Sequence, residues 1–92
     1  MDEDALMKEK LDPDLYRKLK DDCAEPVQVI VQTQDGLKED DRKIMKTLGG
    51  KIKDDLYIIN AFSAELPCMA LKSLILSPRV VRVYFDAQVR AI

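Results

Sequence analysis

The tightest constraint on the fold is the order in which the hydrophobic period changes between Val27 and Asp86. Val27-Gln28-Val29-Ile30-Val31-Gln32-Thr33 alternates, with Val27, Val29 and Val31 on one face and Gln28, Ile30 and Gln32 on the other. That is the pattern of a strand that buries one face. Asp35-Gly36 is a turn pair. From Leu37 to Leu48 the period becomes helical: Leu37, Ile44, Met45 and Leu48 share one side, and the other side, rich in Lys and acidic residues, reads as a solvated face. Gly49-Gly50 stops this helix, because glycine accepts the left-handed conformation that a C-cap needs. Lys51 to Asp55 is a weaker strand whose charges suit a sheet edge. It connects through Leu56-Tyr57 to a second alternating run, Ile58 to Leu66. There Ile58, Asn60, Phe62, Ala64 and Leu66 share one face. Ile59, Ala61, Ser63 and Glu65 share the other, a small and mixed set that another surface can approach closely. Pro67 opens a helix running to about Leu76, with Ala70, Leu71, Leu74 and Ile75 inward. Ser77-Pro78 ends it and delivers a last strand, Val80-Val81-Arg82-Val83-Tyr84-Phe85-Asp86, followed by the tail 87–92.

Two helices separated by paired strands in the order β-α-β-β-α-β define an α+β, ferredoxin-like fold. A four-stranded antiparallel sheet carries both helices on one face and leaves the other open. Val29, Phe62, Val81 and Val83 read as core. Ahead of this unit, Asp12 before Pro13 is a helix N-cap with proline at the first helical position, and Asp14 adds charge that suits the first turn. A short helix is expected from Pro13 to Asp22, with Leu15, Tyr16 and Leu19 as its apolar stripe, ended by Glu25-Pro26. Met1 to Lys10 reads as frayed. The organisation is thus an extension over 1–25 and one domain over 26–92.

Composition narrows the function. The net charge is −2, with acids and bases interspersed, whereas phosphate binding needs clustered Lys and Arg. Tyr84 and Phe85 fall on opposite strand faces and make no base-stacking platform. Nucleic acid is therefore not the expected partner. The N-terminus is acidic where a secretory signal is basic and then apolar, and no apolar run reaches membrane-spanning length, so the expectation is a cytoplasmic chain with no membrane partner. Cys23 and Cys68 lack metal-ligand spacing and there is no histidine, so no metal or other cofactor is expected. Parity allows a disulfide between them, but a reducing compartment favours two thiols. Without histidine the usual acid-base and nucleophile pairs lose their commonest member, and no catalytic residue is assigned.

From Val27 onward the chain resembles the propeptide-inhibitor domain of subtilisin-like serine peptidases. The resemblance is carried by Val27-Gln28-Val29-Ile30-Val31, by Leu48-Gly49-Gly50-Lys51-Ile52 and by Ile59-Asn60-Ala61-Phe62-Ser63-Ala64-Glu65-Leu66. Ser77-Pro78-Arg79-Val80-Val81-Arg82-Val83-Tyr84 completes it, and the order and spacing of these pieces count for more than any one of them. Residues 1–25 lie outside that core and resemble the extra N-terminal segment of intracellular bacterial members. The resemblance implies a folding assistant and inhibitor whose partner is the mature peptidase domain. The open sheet face, here Ile59, Ala61, Ser63, Glu65 and Arg82, packs on two peptidase helices. The tail Val89, Arg90, Ala91 and Ile92 lies in the substrate cleft as an added strand. The resemblance puts Ile92 in the primary specificity pocket and Val89 in the apolar pocket three residues upstream; where self-cleavage falls after Ile92, its carboxylate is the product acid. Asp86 matches a carboxylate that caps a peptidase helix N-terminus. Two residues earlier Tyr84 stands where the family commonly has Glu, so the hydroxyl remains and the charge is lost. Read from its own neighbours alone, Asp86 is an acid that ends a strand. A ferredoxin-like regulatory domain binding a small molecule is the rival, with Asp35-Gly36 a thin version of the glycine-rich turn it needs. An acylphosphatase-like enzyme lacks the phosphate-cradling loop after the first strand.

Overall fold

Burial follows the alternation residue by residue along β1 (Val27–Thr33), where Val27, Val29, Val31 and Thr33 are buried and the residues between them are half-buried. The structure, a computed structural model, describes residues 3–21 and 23–86. β1 pairs antiparallel with β3 (Ala61–Leu66), Val31 opposite Phe62, and with β4 (Val80–Phe85), Val31 opposite Val83. β2 (Lys51–Leu56) pairs antiparallel with the outer side of β3. The strand order β2-β3-β1-β4, with α3 (Glu39–Thr47) between β1 and β2 and α4 (Ala70–Leu74) between β3 and β4, is the α+β ferredoxin-like arrangement that the period changes predict.

The core lies between one sheet face and the helices. Val29, Val31, Phe62, Leu66 and Val83 from the strands join Met45 of α3 and Leu71 and Leu74 of α4, with Ile75 just beyond it, all essentially inaccessible. Each large side chain of this set contributes roughly 1.5–3 kcal/mol by leaving water. The Gly49-Gly50 pair does more than stop α3. Gly49 sits at φ +81°, and a Cβ on Gly50 would lie 2.7 Å from Met45 Cε, 3.0 Å from Leu66 Cβ and 3.1 Å from the Glu65 carbonyl oxygen, so a side chain there would force the methionine tip aside and press on β3.

Four expectations are corrected. The segment 3–10 is not frayed: α1 (Glu3–Lys10) packs on the domain, and Met7 and Leu11 join Leu15 and Leu19 of α2 (Pro13–Asp21) in the common core. Lys10 Nζ donates to the carbonyls of Ile75 (2.9 Å) and Ser77 (3.1 Å), the second of which also accepts the Val80 N–H (3.1 Å), and so supplies a cation just beyond the end of α4. Next, the strand expected from Ile58 begins only at Ala61. Tyr57–Ile59 form a 3-10 turn closed by Asn60 in the left-handed region (φ 54°), which removes Ile58 and Ile59 from the sheet. Third, Val81 is 46% exposed. The β1·β4 register shifts between Gln32 and Thr33, and this irregularity leaves Val81 unpaired and turns it out of the core.

The fourth correction concerns the cysteines. They are not two thiols: Cys23 and Cys68 form a disulfide, with Cα atoms 5.3 Å apart. Their adjacency follows from the register, since Val27 opposes Leu66 and each cysteine lies a few residues beyond that pair. The bond ties the segment after α2 to the segment before α4.

The loops at the other end of the sheet are held by one ion cluster. Arg79 donates from Nε to Asp41 Oδ1 and from a terminal nitrogen to Asp41 Oδ2, both at 2.9 Å, and the same terminal nitrogen meets the Gly36 carbonyl (3.0 Å) and Asp35 (2.9 Å). Asp41 Oδ2 also accepts the Lys38 N–H at the start of α3 (2.9 Å). Burial alone pushes the Asp41 carboxyl up. The Arg79 guanidinium and the Lys38 N–H outweigh it and hold the carboxyl below its ordinary 3.8. A lowered folded-state pKa gives stability that is present above the unfolded value and lost as pH falls through the folded one. Wild-type stability should therefore drop as pH falls below about 4. Asp41→Asn should cost about 2 kcal/mol at pH 7 by weakening a largely buried charge pair, and should flatten that acid limb. Urea unfolding at pH 7 and pH 3.5 reads both effects.

Candidate functional site

The helices cover one face of the sheet, and the residues that alternate away from them form the other. On β1 these are Gln28, Ile30 and Gln32; on β3, Ala61, Ser63 and Glu65; on β4, Arg82 and Tyr84. Ile30 lies opposite both Ser63 and Tyr84, and Gln32 opposite both Ala61 and Arg82. On the far side of β3, Asp54 opposes Ser63 and Leu56 opposes Ala61. Ala61 and Ser63 are nevertheless buried. Their short side chains lie low between the longer ones of β1 and β2, so they form the floor of the face. A partner reaching it meets Ile30, Arg82, Tyr84 and Glu65 first. Lys53 spans two strands above this floor, its Nζ donating to Gln28 Oε1.

β4 is fixed from both sides. Toward β1 it makes the ladder, which continues for one residue beyond the strand because the Asp86 N–H donates to the Gln28 carbonyl (2.9 Å). On its outer edge, Asp12 donates its N–H to the Val83 carbonyl (3.1 Å) and accepts the Phe85 N–H on Oδ2 (2.8 Å). The other carboxylate oxygen of Asp12 accepts the Leu15 N–H (2.9 Å), the cap expected for α2. One acidic residue thus starts a helix and closes a sheet edge, a task that an unpaired edge leaves to neighbouring groups. The turn between α1 and α2 stands beside the open face as a wall. Between it and β4 lies a groove of about 460 Å³ lined by Lys8, Tyr16, Arg82, Tyr84 and their neighbours. Sequence reasoning missed this wall; the signal was present in Met7, Leu11, Leu15 and Leu19, spaced every fourth residue.

Of the residues expected at a protein interface, Ala61, Ser63, Glu65, Arg82 and Tyr84 share the open face. Ile59 does not: it belongs to the 3-10 turn at the sheet end. Asp86 is half-buried at the end of β4. Val89, Arg90, Ala91 and Ile92 lie outside the described residues. Among the described residues no cluster of three or more His, Cys, Asp or Glu could hold a metal, and no helix is long and apolar enough to cross a membrane. What the arrangement offers is a broad surface with mixed apolar and hydrogen-bonding groups. No protein-family model, curated protein or solved structure matches the chain.

Proposed function

We propose that this chain is the propeptide of a subtilisin-like serine peptidase, a folding assistant and product-like inhibitor of that peptidase domain. One observation carries the reading: a sheet face free of helices adjoins a last strand that is clamped on both edges and runs directly into the segment 87–92. The clamped strand gives that segment a fixed point of departure, and a fixed departure lowers the entropy lost when an extended peptide adds to a cleft. In this reading Arg82, Tyr84, Glu65 and the Ala61-Ser63 floor meet two helices of the peptidase. Asp86 supplies an anion to one helix N-terminus, and the Tyr84 hydroxyl accepts a hydrogen bond at the other. Val89, Arg90, Ala91 and Ile92 occupy the cleft, Ile92 in the primary pocket. The chain itself performs no catalysis and uses no cofactor. With its disulfide formed, it is better suited to an oxidising compartment than to the cytoplasm expected from its acidic N-terminus.

The docking face is tested by amide chemical shifts of the labelled chain on titration with its cognate peptidase domain, active serine blocked by a small inhibitor that leaves the cleft open. Shifts are expected at Ile30, Ser63, Arg82, Tyr84 and the tail. Shifts centred on α3 instead would contradict the proposed orientation.

A further inference from the structure

Three bulky apolar residues in succession, Tyr57, Ile58 and Ile59, are 72%, 82% and 54% exposed. They form the tip of the β2–β3 connection, and the tip is held rather than loose. Asn60 takes the left-handed conformation and donates its N–H to the Tyr57 carbonyl (3.2 Å). Its own carbonyl accepts the Thr33 N–H (2.9 Å), and Thr33 is fixed in turn by a bond from its hydroxyl to the Gly36 carbonyl (2.7 Å). A side-chain cluster presented this way loses little freedom when it is covered. Contiguous exposed apolar residues on a fixed scaffold mark interaction sites more often than isolated ones do.

The tip is continuous with the open sheet face. Leu56 lies opposite Ala61, on that face, and also lines a groove of about 320 Å³ with Asp55, Tyr57, Ile58 and Ile59. Asp55 lines this groove, and Asp54, one residue back and opposite Ser63, is exposed beside it; neither carboxylate pairs with a described residue. These charges select the occupant. Two copies of the chain pairing tip to tip about a two-fold axis would bring four carboxylates together, which like-charge repulsion opposes. An anionic lipid surface meets the same repulsion. A surface with an apolar slot and a cationic rim satisfies both features.

We propose that peptidase docking extends beyond the sheet face, through Leu56, onto the prong formed by Tyr57, Ile58 and Ile59, and that the peptidase surface opposite carries an apolar slot rimmed by Lys or Arg beside Asp54 and Asp55. This rests on the propeptide reading above and adds a second contact at the sheet end opposite the tail. The test is the inhibition constant of the full chain against its cognate peptidase domain for wild type, Ile58→Ser and the pair Asp54→Lys with Asp55→Lys. Ile58→Ser is expected to raise the constant at least tenfold with an unchanged thermal midpoint, because its side chain supports no core contact. The lysine pair is expected to raise it and to weaken its salt dependence. If wild type inhibits and Ile58→Ser inhibits equally well, the prong contact is wrong and the propeptide reading stands. If wild type does not inhibit, both fall. Self-association seen in sedimentation, or binding to lipid vesicles, that Ile58→Ser abolishes while inhibition is unchanged assigns the prong to those occupants and overturns the proposal.

Discussion

Reduction of the Cys23–Cys68 bond is expected to remove about 4 kcal/mol of stability, the loop-closure value for a separation of 45 residues. A domain of this size has a modest core, and without a staple its stability is roughly 3–5 kcal/mol. The reduced chain should therefore keep only that core contribution, and the bond should supply about half of the stability of the oxidised domain. The mechanism is specific to the position of the bond: it links the end of the N-terminal extension to the entry of α4, and so joins the segments that supply Leu15, Leu19, Leu71 and Leu74 to the core. Urea unfolding with and without a thiol reductant measures the effect. With a slope of roughly 1 kcal/mol per molar, the midpoint should fall by about 4 M. The double variant Cys23→Ser with Cys68→Ser should match the reduced protein and be insensitive to reductant. A loss below about 1 kcal/mol would mean that the reduced state retains the same contacts unaided.

The parts of the fold legible in the sequence are those where one local pattern acts alone. β1 was readable to the residue because Val27, Val29 and Val31 alternate against Gln28 and Gln32, and burial along the strand follows that alternation from Val27 to Thr33. Gly49-Gly50 was readable as a stop for the same reason. The parts that were hidden depend on contacts distant in sequence. α1 is short and charged, so its propensity alone does not hold it; it is ordered by Lys10 on the end of α4 and by Met7 in the core. Asn60 could be read as a strand residue until its left-handed conformation ended the alternation at Ala61. Val81 looked like core because pattern counting cannot see a register shift. Cys23 and Cys68 required knowledge that Val27 faces Leu66. At the candidate site, the face assignments of Ser63, Arg82 and Tyr84 came from strand period. The wall that Asp12 and α1 build beside them came only from the structure.

Removal of the tail is expected to have the largest functional effect. In the proposed complex the segment after Asp86 supplies the main-chain hydrogen bonds of an added strand and the side chain of the primary pocket, whereas the sheet face supplies a broader and shallower contact. Truncation before Val89 should weaken inhibition more than a hundredfold, equivalent to about 3 kcal/mol at 1.4 kcal/mol per factor of ten. Asp86→Ala, which removes one anion from a helix N-terminus, should weaken it about fivefold, in line with roughly 1 kcal/mol for such a contact. Both comparisons read the same quantity, the initial rate at which the cognate peptidase domain hydrolyses a chromogenic peptide, with the purified chain added at micromolar excess. The account predicts that the full chain suppresses that rate and that the chain lacking Val89 to Ile92 barely does. An initial rate unchanged by the full chain would contradict it.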